Sequence, residues 1–303
     1  MNPRTKSKDS PSAKSPRRRL ILISGLSGSG KSVALHMLED LGYFCVDNIP
    51  AGMLAELVAQ TIDSGDPTYK RTAVGIDARN RQPDIEAVPG FLQSLRSAGM
   101  PCEVMFLHAD DDVLLSRYSA SRRRHPLSSS GVSLRDAIAT ERRLLTPITD
   151  MADLIIDTSR SSVHQLREAI RDRIDQRREG TLSLLFESFA YRKGVPADAD
   201  LVFDVRCLPN PYWEKELRPL TGKDAKVVRY LDDQESSVRM QDDIAGFLDN
   251  WIEDYRSTNR SYLTVAIGCT GGRHRSVYMV EKLADRFRGR NPQILTRHNE
   301  LSA

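Results

Sequence analysis

The sequence predicts an α/β fold, in which a mostly parallel N-terminal sheet carries helices on both faces and a second, smaller α/β domain follows. Three observations predict this class. An apolar run at residues 20–23 leads into a glycine-rich turn and then into a segment with apolar residues at helical spacing. Further strand patterns in the first half end in polar residues, as strands do at the ligand-binding edge of an open parallel sheet. Strand and helix patterns also alternate after residue 180.

The glycine-rich turn matches the phosphate-loop pattern G-x-x-x-x-G-K-[ST] at every fixed position, so the N-terminal domain is predicted to be P-loop NTPase-like. Its glycines let backbone N–H groups converge on phosphate oxygens, and the start of the next helix adds N–H donors and partial positive charge. Lys31 can reach the outer phosphates, and the hydroxyl of Ser32 can bind Mg²⁺. The loop consists of Gly25, Leu26, Ser27, Gly28, Ser29, Gly30, Lys31 and Ser32.

Composition limits the class of protein. The chain has 303 residues, of which 40% are hydrophobic and 28% charged, which fits a globular protein with two ordinary domains. No apolar run approaches the ~18 residues that span a bilayer, and the N-terminus has no apolar signal core, so we expect a cytoplasmic protein without membrane contact. Reduced thiols are expected rather than disulfides or structural zinc, because no C-x-x-C pair occurs among Cys45, Cys102, Cys207 and Cys269.

Positive charge is concentrated at the N-terminus. Residues 1–19 contain seven Lys or Arg and one Asp, whereas the rest of the chain contains 37 Lys or Arg and 40 Asp or Glu. This segment is too poor in apolar residues to pack, so it is predicted to be a disordered basic leader. It either binds nucleic acid through phosphate contacts or only solubilises the chain.

Acidic residues follow several predicted strands of the first domain, at the edge where a parallel sheet binds ligands. Asp47 is a candidate Mg²⁺ or substrate ligand, although an Asp-Asn turn before a proline needs no function. Polar residues also follow a strand at 77–80. Asp110 and Asp157 follow later strands, and each is a candidate for the carboxylate that supports magnesium in such sites. The sequence does not choose between them.

An arginine-rich segment lies between two of these strands, at residues 117–127, and contains four arginines. Its guanidinium groups can pair with phosphate oxygens and stabilise charge during phosphoryl transfer, and Arg122 is the residue to which we assign this catalytic role. A solvated charged helix is the alternative. Small P-loop kinases carry an arginine-bearing lid at this point of the chain, which favours the functional interpretation.

A polar helix predicted at residues 162–178 ends at a glycine and marks a domain boundary. We therefore divide the chain into the leader at 1–19, a nucleotide-binding domain at 20–174 and a second domain at 175–303. In the second domain, strands are predicted at 182–186, 201–206 and 262–267, with helices around 242–255 and 276–288.

The second domain contains another glycine-rich loop between a strand and a helix. It forms an anion nest, toward which two arginines and a histidine are predicted to point. The spacing from Cys269 to Arg275 matches the loop of cysteine phosphatases, but Gly268 stands where those enzymes carry histidine, and no acid for the leaving group is evident. A non-catalytic site for a phosphorylated small molecule is favoured, formed by Cys269, Thr270, Gly271, Gly272, Arg273, His274, Arg275 and Ser276.

Several segments together resemble the RapZ family of bacterial P-loop nucleotide-binding proteins. They are the loop at 25–32 with Val33-Ala34-Leu35, then Cys45-Val46-Asp47-Asn48, Arg117-Tyr118-Ser119, His125-Pro126-Leu127-Ser128, Phe203-Asp204-Val205-Arg206, Leu208-Pro209-Asn210-Pro211 and Ala266-Ile267-Gly268-Cys269-Thr270-Gly271-Gly272. The resemblance implies an ATPase and GTPase that binds ATP on the first loop, with a GTP-associated segment at Asp77, Ala78, Arg79 and Asn80. It also implies that the C-terminal domain senses an amino-sugar phosphate or a related metabolite, with Asp204 and Arg206 near the second loop.

In enteric bacteria, such a protein is an RNase adapter, a homotetramer that presents a small RNA to the endoribonuclease RNase E to control glucosamine phosphate synthesis. The resemblance thus implies RNA, an endoribonuclease and further copies of the chain as partners. Two departures limit the transfer. The enteric proteins end in a basic tail, whereas this chain ends Arg297-His298-Asn299-Glu300-Leu301-Ser302-Ala303. Tyr212 stands where the enteric pattern has histidine.

The leading interpretation is a slowly hydrolysing, regulatory NTP-binding protein that uses ATP, GTP and Mg²⁺. Lys31 and the loop amides hold phosphates, and arginines near Arg122 neutralise the transferring charge. Ser32 holds Mg²⁺ with either Asp47 or Asp110. A small-molecule kinase and a non-hydrolysing adapter with a phosphatase-like C-terminal loop are the alternatives.

Overall fold

The computed structural model describes residues 18–121, 123–129, 131–175, 181–258, 260–291 and 293–301. Residues 1–17, which make up most of the predicted leader, and Arg122 lie outside the described residues. The described chain forms two parallel sheets with helices, which confirms the predicted α/β class with two domains. The domain limits at 174 and 175 stay a prediction.

The N-terminal sheet has five parallel strands in the order β2-β3-β1-β4-β5. The strands are β1 (Arg19–Gly25), β2 (Phe44–Val46), β3 (Arg71–Gly75), β4 (Cys102–His108) and β5 (Leu154–Asp157). The helices are α1 (Lys31–Asp40), α2 (Leu54–Gln60), α3 (Gln82–Ser97), α4 (Asp111–Ser121), α5 (Leu134–Leu144), α6 (Thr146–Thr149) and α7 (Val163–Ile170). After β1 the chain forms β2 and β3 on one side of that strand, and it then forms β4 and β5 on the other side. Open parallel sheets bind ligands where the strand order reverses in this way, which here is the carboxyl end of β1.

Alternation along β1 places apolar side chains on both faces of this sheet. Leu20 and Leu22 are fully buried against α2, α3 and α6, whereas Ile21 and Ile23 are fully buried against α1 and α7. A strand that is buried on both faces is apolar throughout, which explains the continuous run in the sequence. Within the described residues, no helix combines the length and apolar character needed to cross a bilayer.

The C-terminal sheet has four parallel strands in the order β7-β8-β6-β9. The strands are β6 (Ser183–Ala190), β7 (Leu201–Asp204), β8 (Tyr262–Cys269) and β9 (Ile294–His298), and the helices are α8 (Ala225–Asp232), α9 (Glu235–Ser257) and α10 (Arg275–Arg288). One hydrophobic core joins β6 and β8 to these helices, with Phe186, Ile267 and Leu283 fully buried in it.

Several element bounds differ from the prediction. The helix predicted at 162–178 corresponds to α7, which ends at Ile170. A wider helical turn follows it from Arg171 to Asp175. The strand predicted at 182–186 extends to Ala190, and the helix around 242–255 begins at Glu235. Strand β9 was not predicted, because three of its five residues are polar and it shows no apolar run.

The two sheets lie side by side and run in roughly the same direction. At their amino ends, Arg19 Nη2 lies 2.7 Å from Glu103 Oε2, which also accepts a 2.8 Å hydrogen bond from the hydroxyl of Tyr262. At their carboxyl ends, Arg160, which follows β5, lies 3.9 Å from the carboxylate of Glu300, which follows β9. The buried contacts at the amino ends fix the relative placement of the sheets there, and the ion pair of Arg160 and Glu300 joins them at the carboxyl ends.

Candidate functional site

The phosphate loop connects the carboxyl end of β1 to the start of α1. Glycine is required at three positions, because a Cβ at Gly25 would lie 2.4 Å from the carbonyl oxygen of Leu107 and because Gly28 and Gly30 have φ +90° and +109°. Gly30 is the N-cap of α1, and no side chain in the described part of the protein caps this helix. Its first N–H groups therefore remain available to an anion in the loop.

Lys31 folds back over the loop. Its Nζ atom donates a 2.8 Å hydrogen bond to the carbonyl oxygen of Gly25. Burial lowers the pKa of this ammonium group, while the carboxylates of Glu141, Asp77 and Asp47 act in the opposite direction. The ammonium group is thus held by a backbone carbonyl and by nearby negative charge, an arrangement that suits exchange onto phosphate oxygens.

The structure separates the candidate carboxylates. Asp47 and Asp77, which follow β2 and β3, are near enough to Lys31 to act on its charge. Asp110 precedes α4 and is largely exposed, with 61% of its side-chain surface accessible. Asp157 is hydrogen-bonded within its own turn. Asp47 and Asp77 are therefore the strand-end acids that act on Lys31, and the catalytic role that we assign to Asp110 stays a prediction.

The oxygen atoms around Lys31 fit Mg²⁺. Ser32 lies exposed in the first turn of α1, and Asp47 and Asp77 add carboxylates. A Cβ at Gly75 would lie 2.8 Å from Oδ1 of Asp47, so the glycine at the end of β3 makes room for this acid. Among the described residues, no three His, Cys, Asp or Glu side chains group as a metal site. One hydroxyl and two carboxylates, from Ser32, Asp47 and Asp77, suit Mg²⁺, which proteins bind through one or two carboxylates together with substrate phosphates.

The segment assigned to GTP uses its polar groups within the protein. Arg79 binds the carboxylate of Asp77 through Nε at 3.1 Å and Nη2 at 2.7 Å. The side-chain amide of Asn80 accepts a 2.5 Å hydrogen bond from the N–H of Ala51 and donates to two backbone carbonyl groups. Ala78 is buried. These contacts hold Asp77 in place beside the loop, and the assignment of this segment to GTP stays a prediction.

Of the arginines that the structure describes in this segment, one is anchored and two are exposed. Arg117 donates to the carbonyl oxygens of Gly28 at 2.9 Å and Thr158 at 2.6 Å, so it supports the loop rather than clamping phosphate. Burial lowers the pKa of Arg117. The arginines at 123–124 are exposed. Arg122, for which we predict a catalytic role, lies outside the described residues.

Sequence reasoning missed an acid that binds the loop directly. Glu141, in α5, is fully buried; it accepts hydrogen bonds from the N–H of Ser27 at 2.9 Å and from its hydroxyl at 2.6 Å. Nε2 of His125 lies 3.0 Å from the same carboxylate. The available signal was a glutamate on the buried face of α5, shared with Ala137 and Ile138. An acid at a core-facing position requires partners, and here those partners are functional residues.

The thiol of the second loop is packed inside it. Sγ of Cys269 lies 3.2 Å from the hydroxyl of Ser276 and accepts a 3.2 Å hydrogen bond from the N–H of Gly272. Only 3% of Cys269 is exposed. Reactive cysteines lie in accessible positions, so this geometry favours a structural thiol over a phosphatase nucleophile.

The three basic residues of the second loop point in different directions. Nη1 of Arg275 is buried and donates to the backbone carbonyl oxygens of Arg206 at 2.7 Å and Leu208 at 3.0 Å. The ring of His274 is buried against backbone carbonyls of the 217–220 segment; burial lowers its pKa. Arg273 is exposed. The prediction that all three point into the nest is therefore wrong for His274, because its ring packs on the neighbouring segment.

Asp204 and Arg206 lie on and just after the strand next to β8, beside the second loop. Arg206 binds Asp204 through Nε at 2.9 Å and Nη2 at 2.7 Å, the same pairing that Arg79 makes with Asp77. The guanidinium carbon of Arg206 also lies 3.9 Å from the centre of the Tyr191 ring. Both domains thus place an Asp-x-Arg pair beside a glycine-rich loop.

Comparisons with known proteins identify the family of this chain. The family model of the RapZ-like N-terminal domain matches residues 18–178, and that of the RapZ C-terminal domain matches residues 182–302. A "nucleotide-binding protein" of Alkalilimnicola ehrlichii is 52% identical over 284 residues, which cover 94% of this chain and 98% of that protein. One of Thioalkalivibrio sulfidiphilus is 49% identical over 285 residues, which cover 94% of this chain and 100% of that protein. Among solved structures, shikimate kinase from Bacteroides thetaiotaomicron aligns at a TM-score of 0.34 and 14% identity, over 52% of this chain and 98% of the kinase.

Proposed function

This chain belongs to the RapZ family, and from that premise we propose that it binds nucleotides on the loop at 25–32, hydrolyses ATP and GTP slowly and thereby regulates an RNA or protein partner. The observation that carries the proposal is the position of Lys31 beside the open amino end of α1, with Asp47 and Asp77 nearby. The name "nucleotide-binding protein" of the two relatives agrees with it.

In the proposed mechanism, this chain's residues bind and orient a nucleoside triphosphate for attack by water on its outer phosphorus atom. Lys31 leaves the carbonyl oxygen of Gly25 and pairs with phosphate oxygens, which the loop amides also hold. Ser32 and Asp47 or Asp77 would hold Mg²⁺, which would neutralise part of the phosphate charge. Exposed arginines at 123–124 stabilise the charge that develops on the transferred group.

For the second loop, we propose a non-catalytic site for a phosphorylated amino sugar or a related metabolite. The N–H groups at the start of α10 and the exposed Arg273 suit the phosphate. Asp204 and Arg206 lie beside the loop and offer a carboxylate and a guanidinium to the remainder of the ligand. Burial of Cys269 supports binding without covalent chemistry.

The proposal extends to partners that the family resemblance implies. We propose that the chain binds RNA and an endoribonuclease as a homo-oligomer, with a tetramer as the expected state, in the cytoplasm. The basic leader at 1–19 supports an RNA contact, because the rest of the chain has more acidic than basic residues.

One observation favours a second candidate function, that of a small-molecule kinase. A cavity of about 500 Å³ opens beside the acids of the first loop, with Asn48, Met53, Arg79, Arg81 and Asp84 in its wall. Asn48 has φ +49°, and its Oδ1 atom is buried with no hydrogen-bond partner among the described residues. A kinase needs such a pocket for its acceptor, and Asp47 would lie at its edge as the base.

Incubation with ATP or GTP labelled in the outer phosphate separates these functions. We expect free labelled phosphate from the purified protein and none from the Lys31→Ala variant. Label transferred to a small molecule only when deproteinised cell extract is added would favour the kinase instead. Intact nucleotide in both conditions, with binding retained in calorimetry, would leave the non-hydrolysing adapter.

A further inference from the structure

Glu141 is a carboxylate that solvent does not reach. Both oxygens are occupied: Oε1 accepts from the Ser27 hydroxyl, and Oε2 accepts from the Ser27 N–H and lies 3.0 Å from Nε2 of His125. A buried charge is expensive unless it is paired and hydrogen-bonded, so each of these contacts is required for the acid to stay in place. Glu141 is therefore bound at once to the phosphate loop and to a residue outside it.

The hydrogen bonds of His125 identify which of its nitrogens carries the proton. The N–H of Leu127 donates to Nδ1 at 3.1 Å, so Nδ1 is an acceptor and Nε2 is the donor to Glu141. The ring is 3% exposed and packs 5.3 Å from the ring of Tyr118. The hydroxyl and N–H of Ser128 both donate to the carbonyl oxygen of His125. The imidazole thus has one orientation, and it anchors the turn at 125–128.

Two exposed arginines, at 123–124, directly precede this anchor in the chain. His125 therefore fixes the point at which the chain leaves these arginines. Glu141 also contributes the largest of the favourable charge interactions that act on Lys31. A single buried carboxylate therefore touches the loop, stabilises its lysine and anchors the arginine-bearing segment.

We propose that Glu141 is a positioning residue that couples the phosphate loop to the arginine-bearing segment, so that the arginines at 123–124 stand over a nucleotide on the loop. The inference rests on the proposed nucleotide site. In this proposal, the two contacts of Glu141 have different roles. The contact with Ser27 shapes the loop and governs nucleotide affinity, whereas the contact with His125 places the arginines and governs turnover.

A matched pair of substitutions at His125 tests the coupling. In His125→Asn, the asparagine side chain can still accept the hydrogen bond from the Leu127 N–H, but it is too short to reach Glu141. In His125→Gln, the amide nitrogen of the glutamine can take the position of Nε2 and donate a hydrogen bond to Glu141. We expect the Asn variant to lose about 10-fold or more in kcat with an unchanged Kd for ATP, and the Gln variant to remain near the unchanged protein. Ser27→Ala should raise Kd instead.

The reference variants are Glu141→Gln and, as a surface control, Glu56→Gln, which changes an exposed acid of α2. Combining Glu141→Gln with His125→Asn should lower kcat no further than the stronger single variant, because each substitution alone already breaks the contact between Glu141 and His125. Equal kcat values for the Asn and Gln variants would overturn the coupling. So would losses in kcat that are fully explained by lower melting temperatures of the variants. Absence of ATP binding by the unchanged protein in calorimetry would instead overturn the proposed nucleotide function, and the coupling with it.

Discussion

The hydroxyl of Thr158 donates a 2.9 Å hydrogen bond to the carbonyl oxygen of Ser29, 129 residues earlier in the chain. Thr158 directly follows β5, so the strand at one edge of the sheet supports the phosphate loop at its centre. Arg117 joins the two by binding carbonyl oxygens of both segments. The loop is therefore shaped by residues that the phosphate-loop pattern does not contain.

Thr158→Val removes this support while it preserves the shape of the side chain. The buried carbonyl of Ser29 then lacks its donor, so we expect a loss of about 1–3 kcal/mol in the free energy of unfolding together with weaker ATP binding. Urea unfolding and calorimetry measure both. Thr158→Ser keeps the hydroxyl and should retain both properties; equal behaviour of the two variants would contradict this account.

Lys31→Ala removes the cation of the loop. The carboxylates of Glu141, Asp77 and Asp47 would then face an arriving phosphate without it. We expect a correctly folded protein with weakened binding of both ATP and GTP and a loss of at least about 100-fold in phosphate release. Circular dichroism controls for the fold. Undiminished turnover in a preparation free of other NTPases would refute the assignment of the loop.

Arg273→Ala tests the second loop with little risk to the fold, because this side chain is exposed. Binding of glucosamine phosphate, measured by calorimetry, should weaken, whereas ATP binding should stay unchanged. Arg275→Ala should abolish metabolite binding and should also lower the melting temperature of the protein, since Arg275 holds the backbone at 206 and 208. If Arg273→Ala leaves metabolite affinity intact, the phosphate does not occupy this loop.

Glu187 makes stability depend on pH. Burial raises its pKa to about 7 from the ordinary 4.5, although Arg297 pulls in the opposite direction. The folded state then holds this proton more tightly than the unfolded chain, so the contribution of Glu187 is complete below about pH 4.5 and is lost as pH rises toward 7. Unfolding free energy measured from pH 5 to 8 should fall less steeply in Glu187→Gln than in Glu56→Gln. Parallel curves would contradict the shift.

Deletion of residues 1–19 tests the role of the basic leader. RNA affinity should fall, and its salt dependence should flatten, with each lost phosphate contact removing about 0.7 from the log–log slope for single strands. Filter binding over a range of salt concentrations gives both quantities. Identical affinity and slope for the shortened chain would place the RNA surface on the folded domains.

The features that sequence reasoning identified are those encoded locally. The phosphate loop is one continuous segment, and the apolar run before it reflects a strand buried on both faces. The residues that were missed meet only in the folded chain: Glu141 lies 114 positions from Ser27. No spacing rule connects two such positions, because their distance depends on how the intervening helices pack.

The choice among the aspartates stays open for a related reason. Asp47, Asp77 and Asp110 all follow strands, and strand ends alone do not say where a side chain points. Asp77 is fixed by Arg79, two residues later, and remains beside the loop. Asp110 instead directly precedes α4 and is largely exposed. Local pattern thus predicts the edge of the sheet at which ligands bind, whereas the partners of each side chain determine where each acid points.

The shared direction of the two sheets decides how the protein can be approached. Arg19, Glu103 and Tyr262 join the sheets at their amino ends, and Arg160 with Glu300 joins them near their carboxyl ends. Since each glycine-rich loop follows the carboxyl end of a strand, both loops open toward one side of the molecule. A single extended polyanion laid across that side would compete with the small ligands of both loops, whereas a partner bound at the opposite side would leave both accessible.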